Sequence, residues 1–214
     1  MEYIKIPENI EKRSFEIISE ELGDKVKDIP ESISLVIKRV IHTTADFEYA
    51  DLLKFSPGAV EKGIEALENG YDIYCDTQMI ANGLSKKSLE KYGIQAYSLV
   101  SDPEVMKISK ARGVTRSIVG IEKAAESPNT KIFLIGNAPT ALFRLKELIE
   151  EGKIEKPALI VGVPVGFVGA SESKEIFLDG DIPYITVEGR KGGSTVAVAI
   201  LHGILYQIHK REGF

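Results

Sequence analysis

His42 sits in the stretch "KRVIHTTADFEYADLLKFSPGAV", with Arg39 one helical turn before it and Asp46 one turn after. The other two histidines, His202 and His209, both fall in the last thirteen residues. An imidazole titrates near neutrality, so His42 is the side chain best suited to exchanging a proton. A base, a cation and a carboxylate at this spacing also describe an ordinary solvated helix face. Helical phase separates His42 from the core: at about 100° per residue from Ile33, the stripe of Val36, Ile37, Val40 and Ile41 centres near roughly 15°, and His42 falls near about 180°. Ser14 is a second candidate. It follows Ile10 by one turn and precedes Ile17 and Ile18, so its hydroxyl is free to bond its own backbone or a ligand.

Other chemistries find less support. "GVPVGFVG" and "GRKGGST" match neither the dinucleotide fingerprint nor the P-loop order. Their amide groups, at helix starts and near Arg116, Arg190 and Lys191, suit a carboxylate-bearing ligand better than a nucleotide. His202 and His209 are seven residues apart with no third ligand nearby, so they read as surface or interface residues and no metal site is expected. No G-x-S-x-G elbow is present, and Cys75 reads as a small buried strand residue.

These residues need elements to hold them. Pro7 and Gly23 bracket a first helix, and a second spans about Glu31 to Thr44. A third opens at Ser56-Pro57, with Ser56 as its cap, and closes near Asn69-Gly70. From Tyr71 onward five short apolar runs alternate with helical patterns: "YDIYCD", "IQAYSLV", "TKIFLIG", "PALIVGV" and "IPYITVEG". The intervening helices cover about Ser85 to Lys91, Pro103 to Ala125 with a break at Arg112-Gly113, Ala138 to Glu150 and Ser171 to Leu178. A last helix follows Gly193 and reaches about Lys210. This grammar predicts a three-layer α/β/α sandwich on a five-stranded parallel sheet, with additional N-terminal helices and residues 1–214 as one domain. Ligands of such sheets collect beyond the carboxyl ends of the strands.

Composition narrows the partners. The chain has 214 residues, 43% of them hydrophobic and 28% charged, with 27 basic against 32 acidic side chains. Without a basic block no nucleic-acid partner is expected. The run from Pro157 to Ala170 is too short and too broken to span a membrane. The first residues show no secretory signal, and a single cysteine suits a reducing cytoplasm.

Taken together, "RSFEII", "KRVIHTTAD", "FSPGAV", "CDTQMIANG", "TRS", "IGNAPTALFRL", "GVPVGFVGASESK" and "GRKGGSTVA" resemble the precorrin-8X methylmutase family, also called cobalt-precorrin-8 methylmutase. The likeness runs from about Ile10 to Ile204. It implies a flavodoxin-like homodimer that isomerises a tetrapyrrole-derived macrocycle in cobalamin biosynthesis, moving a methyl group from C-11 to C-12 without a cofactor. The family's R-x-x-H histidine falls on His42 and its arginine on Arg39, which would bind a carboxylate or hold the imidazole. The serine of its Ser-Phe pair falls on Ser14, and the arginine of its Thr-Arg-Ser motif on Arg116; these two and Arg39 are the expected substrate contacts. Thr43-Thr44 stand where some members carry a small residue and Gly, which leaves Asp46 without an inherited role. The competing reading is a tetrapyrrole carrier that binds the macrocycle without isomerising it.

Overall fold

A computed structural model describes residues 5–209. In chain order, α1 (Pro7–Leu22), a 3-10 turn (Gly23–Val26), α2 (Glu31–Thr44) and α3 (Tyr49–Leu52) precede β1 (Leu53–Phe55) and α4 (Ala59–Glu68). Then come β2 (Asp72–Cys75), α5 (Gln78–Gly83), α6 (Lys86–Glu90), β3 (Ala96–Tyr97), α7 (Pro103–Arg112) and α8 (Arg116–Ala125). The remainder is β4 (Thr130–Ile135), α9 (Pro139–Glu150), β5 (Leu159–Gly162), α10 (Ala170–Glu175), β6 (Tyr184–Val187) and α11 (Ser194–Ile208). Lys210, the expected end of the last helix, lies outside the described residues.

The five expected strands pair in parallel in the order β6-β5-β4-β2-β3, the flavodoxin-like arrangement. The sheet has six strands, not five. β1 adds antiparallel to β6, with Leu53 opposite Val187 and Phe55 opposite Ile185. Its three residues lie between short helices, too few to show a period of two, and β6 supplies the backbone partners that make them a strand. Ser56, expected as a helix cap, extends this pairing instead: its amide donates to the Tyr184 carbonyl (2.9 Å), and the Tyr184 amide donates to its hydroxyl (2.8 Å). Gly58, left-handed at φ 72°, starts α4 in its place.

Alternation along the strands builds two cores, one on each face. Ile132 and Leu134 of β4, Ile73 and Cys75 of β2, and Leu159 and Val161 of β5 face one; Phe133, Ile135, Tyr74 and Ile160 face the other. The second face is covered by α8 and α9. On the first, α11 is apolar nearly all round, as a helix buried on both sides must be, and it lies between the sheet and α2. The N-terminal helices therefore form a further layer outside α11. Gly203 permits that layer: a methyl group there would stand 2.8 Å from Val36 Cα.

Gly203→Ala gains helix propensity yet forces α2 and α11 apart, and overpacking of this kind costs about 1–3 kcal/mol. A melting temperature lower by several degrees in a thermal unfolding scan is the expected outcome.

Candidate active site

His42 occupies the last turn of α2, which ends at Ala45 in the left-handed conformation, φ 53°. Burial of Val36, Ile37, Val40 and Ile41 against α11 turns His42 outward, and the residue is exposed. One face of its ring is covered. Phe15 of α1 stacks on it with centroids 5.3 Å apart and planes at 26°.

Phe15 also meets Arg39. Its guanidinium carbon lies 4.7 Å from the Phe15 centroid and 5.3 Å from that of Tyr206 on α11. Nη1 donates to Glu11 Oε1 at 2.8 Å, and the Arg39 side chain is only 8% exposed. Arg39 thus ties three helices together through an ion pair and two ring contacts. These surroundings lower the pKa of His42 from its ordinary value, chiefly by desolvation, with the Arg39 charge adding to the effect and Glu11 opposing it. The shift favours the uncharged imidazole, the form able to accept a proton.

Beyond Ala45 the chain meets the carboxyl edge of the sheet. Lys191, in the loop from β6 to α11, pairs with both Asp46 and Glu48. That same loop runs against the end of β5, where the Gly193 amide donates to the Val163 carbonyl at 2.8 Å. Gly192, at φ 146°, comes so close to Val163 O that a methyl group would lie 2.2 Å from it, a position that only glycine can fill.

The crevice at the switch point between β2 and β4 is already occupied by the protein. Buried Asp76 accepts the amides of Gly136 (3.0 Å), Asn137 (2.8 Å) and Ala138 (2.7 Å), the N–H groups leading into α9. Burial pushes its carboxyl group upward in pKa, and the three donations pull it down. A phosphate at this terminus would have to displace the carboxylate.

Ser14 is on α1 next to Phe15, and its hydroxyl donates to the Ile10 carbonyl at 2.8 Å. Arg116 opens α8, capped by Thr115, and is exposed; its Nη1 donates to the Val100 carbonyl at 3.2 Å in the segment after β3. The fold brings His42, Arg39 and the residue beside Ser14 into one cluster. Arg116 stands apart at the β3 end of the same carboxyl edge.

Glu11, Phe15 and Tyr206 escaped the sequence reading. Glu11 and Phe15 are four apart on one helix, a signal that pointed at a shared face, but their partners lie on other helices. His202, expected as a surface or interface residue, is half-buried and accepts the Ser85 amide at Nε2 (3.1 Å) while stacking on Tyr206. Cys75 is fully buried, and burial raises its thiol pKa. Among the described residues no three His, Cys, Asp or Glu side chains are grouped to hold a metal ion. No described helix is long and apolar enough to cross a membrane.

Apolar side chains are also exposed at this edge. Phe167 and Val168, 83% and 90% exposed, form the tip of the loop after β5, and Met79, 63% exposed, follows β2. Arg190 lies over the Phe167 ring at 5.3 Å. An exposed apolar rim of this kind suits a large, flat, partly apolar ligand.

A family model described as CbiC: Precorrin-8X methylmutase matches residues 9–207. The chain is 48% identical to the cobalt-precorrin-8 methylmutase of Leptospira interrogans, over 95% of this chain and 94% of the relative. Against that of Salmonella typhimurium it is 44% identical, covering 99% and 100%. The crystal structure of the precorrin-8x methyl mutase from Thermus thermophilus superposes with a TM-score of 0.83 at 41% identity, covering 92% of this chain and 94% of that one.

Phe15→Ala strips the cover from one face of the His42 ring. The imidazole pKa, followed by NMR titration, is expected to rise toward the ordinary histidine value; an unchanged pKa would show that the stack contributes nothing to it.

Proposed function

The chain belongs to the precorrin-8X methylmutase family, and from that premise we propose that it moves a methyl group from C-11 to C-12 of precorrin-8X or its cobalt complex, with His42 as the acid/base. Cobalt, where present, is part of the substrate. The single observation that carries the residue assignment is the environment of His42: an exposed imidazole, stacked on Phe15 and with its pKa held below the ordinary histidine value.

A sigmatropic methyl shift breaks one carbon–carbon bond and forms another within the same molecule, so it needs neither an electron acceptor nor a nucleophile from the protein. What it needs is the macrocycle in the right tautomer and conformation. His42 takes a proton from the macrocycle, at a ring nitrogen in this scheme, and returns it once the methyl has moved; no atom is gained or lost overall. The lowered pKa makes the accepting form the resting one.

Arg39 has two conceivable roles, binding a substrate carboxylate or holding the imidazole. Its burial and its pairing with Glu11 favour the second, acting through the Phe15 ring they share. Ser14 and Arg116 are proposed as polar contacts to the acetate and propionate arms, Arg116 at the far end of the edge. Ser14 would have to redirect its hydroxyl from the Ile10 carbonyl to do so. Binding around the rim supplies orientation, which for an intramolecular reaction is the main contribution a protein can make.

A homodimer in the cytoplasm completes the proposal. Ile6, Ile10 and Ile17 leave an exposed apolar row on and beside α1, which a second copy would cover. Sedimentation analysis should then give twice the 23.5 kDa chain mass.

His42→Ala should abolish turnover while macrocycle binding, followed by absorption, persists; substantial residual activity would sink the assignment. In the intact enzyme kcat/KM should fall on the acid side with a midpoint below the ordinary histidine value, because protonation removes the accepting form.

A further inference from the structure

Lys174 is 1% exposed, and among the described residues it forms no ion pair. Its ammonium donates to the Lys191 carbonyl at 2.8 Å. Isolated buried cations are unfavourable, and burial alone brings this one down to about 8 in pKa. An apolar side chain of similar length would fill the space at lower cost. The lysine therefore calls for an explanation beyond packing.

The position of the accepted carbonyl supplies one. Lys191 is the centre of the loop from β6 to α11, and Arg190, Lys191 and Gly193 each hold a group at the carboxyl edge. The carbonyl of Arg190 accepts the Gly166 amide at 3.2 Å, and its guanidinium covers Phe167. The Lys191 ammonium reaches Asp46 and Glu48, beyond the last turn of the His42 helix. Gly193 is bonded to Val163. Three residues of this loop, Gly189, Gly192 and Gly193, have positive φ, so the loop itself has little intrinsic stiffness. Lys174 is anchored at its own end, where the Tyr184 hydroxyl donates to its carbonyl at 3.0 Å and the neighbouring Ser173 is fully buried.

We propose that Lys174 is a positioning residue whose ammonium anchors the loop from β6 to α11 through the Lys191 carbonyl, and thereby fixes both the Phe167–Val168 tip and the link from Lys191 to the exit of the His42 helix. The contact assigns a task to "SESK" in the "GASESK" motif and to "GRKGG", neither of which the proton transfer uses. Its consequence for catalysis rests on the macrocycle site proposed above; the anchoring itself does not. Because the immediate support of His42 comes from Phe15 and not from this loop, loosening the anchor weakens binding more than chemistry.

Lys174→Met removes the donor and keeps the chain length. In the full-length protein, amide exchange at Gly166 and Gly193 should become at least about tenfold faster while that in β4 is unchanged. KM for precorrin-8X or its cobalt complex should rise about tenfold or more, with kcat within about threefold. Lys174→Arg, which retains a donor, should recover much of the Gly193 protection. In the unsubstituted protein a slowly exchanging lysine Nζ resonance, lost in Lys174→Met, is expected by 15N NMR. Unchanged exchange at Gly166 and Gly193, a kcat loss without a KM change, or loss of the fold in both variants would each overturn the proposal. If the unsubstituted protein turns over neither macrocycle, the methylmutase reading fails, and the exchange data still decide whether Lys174 is the anchor.

Discussion

The close approach of α2 to α11 at Gly203 governs where the polar face of α2, and with it His42, emerges. With no side chain at 203, Val36 lies directly on the α11 backbone, and the apolar stripe of α2 is consumed by that contact. The rest of α2 follows from the helical phase. His42 must emerge on the far side, and Arg39 must emerge near the line where α1 closes over both helices. A bulkier residue at 203 would tilt α2 and move His42 relative to the sheet edge, although 203 and 42 are far apart in sequence.

Burial of one face of an acid/base is a compromise between two needs. A fully solvated imidazole would keep its ordinary pKa and rotate freely, whereas a fully buried one could not meet a ligand. Stacking on Phe15 holds the ring while the residue stays exposed, and desolvation lowers its pKa. Placing Arg39 on the same phenyl ring sets a fixed positive charge at short range, and Glu11 tempers it. The net effect is a base kept neutral, in a cluster whose charges largely cancel.

The carboxyl edge shows a second consequence of using the protein's own groups. In a parallel sheet of this strand order the switch point is a natural anion seat. Here Asp76 fills it and cross-links β2 to the turn before α9. Toward the β6 side, glycines allow the loops to pass within touching distance of each other, and Phe167 and Val168 are exposed there. A surface of that character matches the face of a macrocycle better than the phosphates of a nucleotide.

Much of this was readable from local pattern. Pro7 and Gly23 marked the ends of α1, the stripe from Ile33 to Ile41 marked α2 and turned His42 away from the core, and five apolar runs marked the parallel strands. All of these depend on neighbours within a turn or two of the chain, where periodicity and capping operate. The sixth strand did not show, because Leu53–Phe55 is extended only by pairing with β6, more than 130 residues later. Nor did the burial of Arg39, the stack of Phe15 on His42, the carboxylate of Asp76 on the amides before α9 or the reach of Lys174 to the Lys191 carbonyl. Each of those joins residues from separate elements, and no local rule carries information across such a gap. The sequence by itself determined the longer helices and the five parallel strands, their core faces and the family to which its motifs point. Tertiary structure alone decided which polar side chains share a site and what protonation state that site imposes, because desolvation and Coulomb interactions depend on distances that only packing sets.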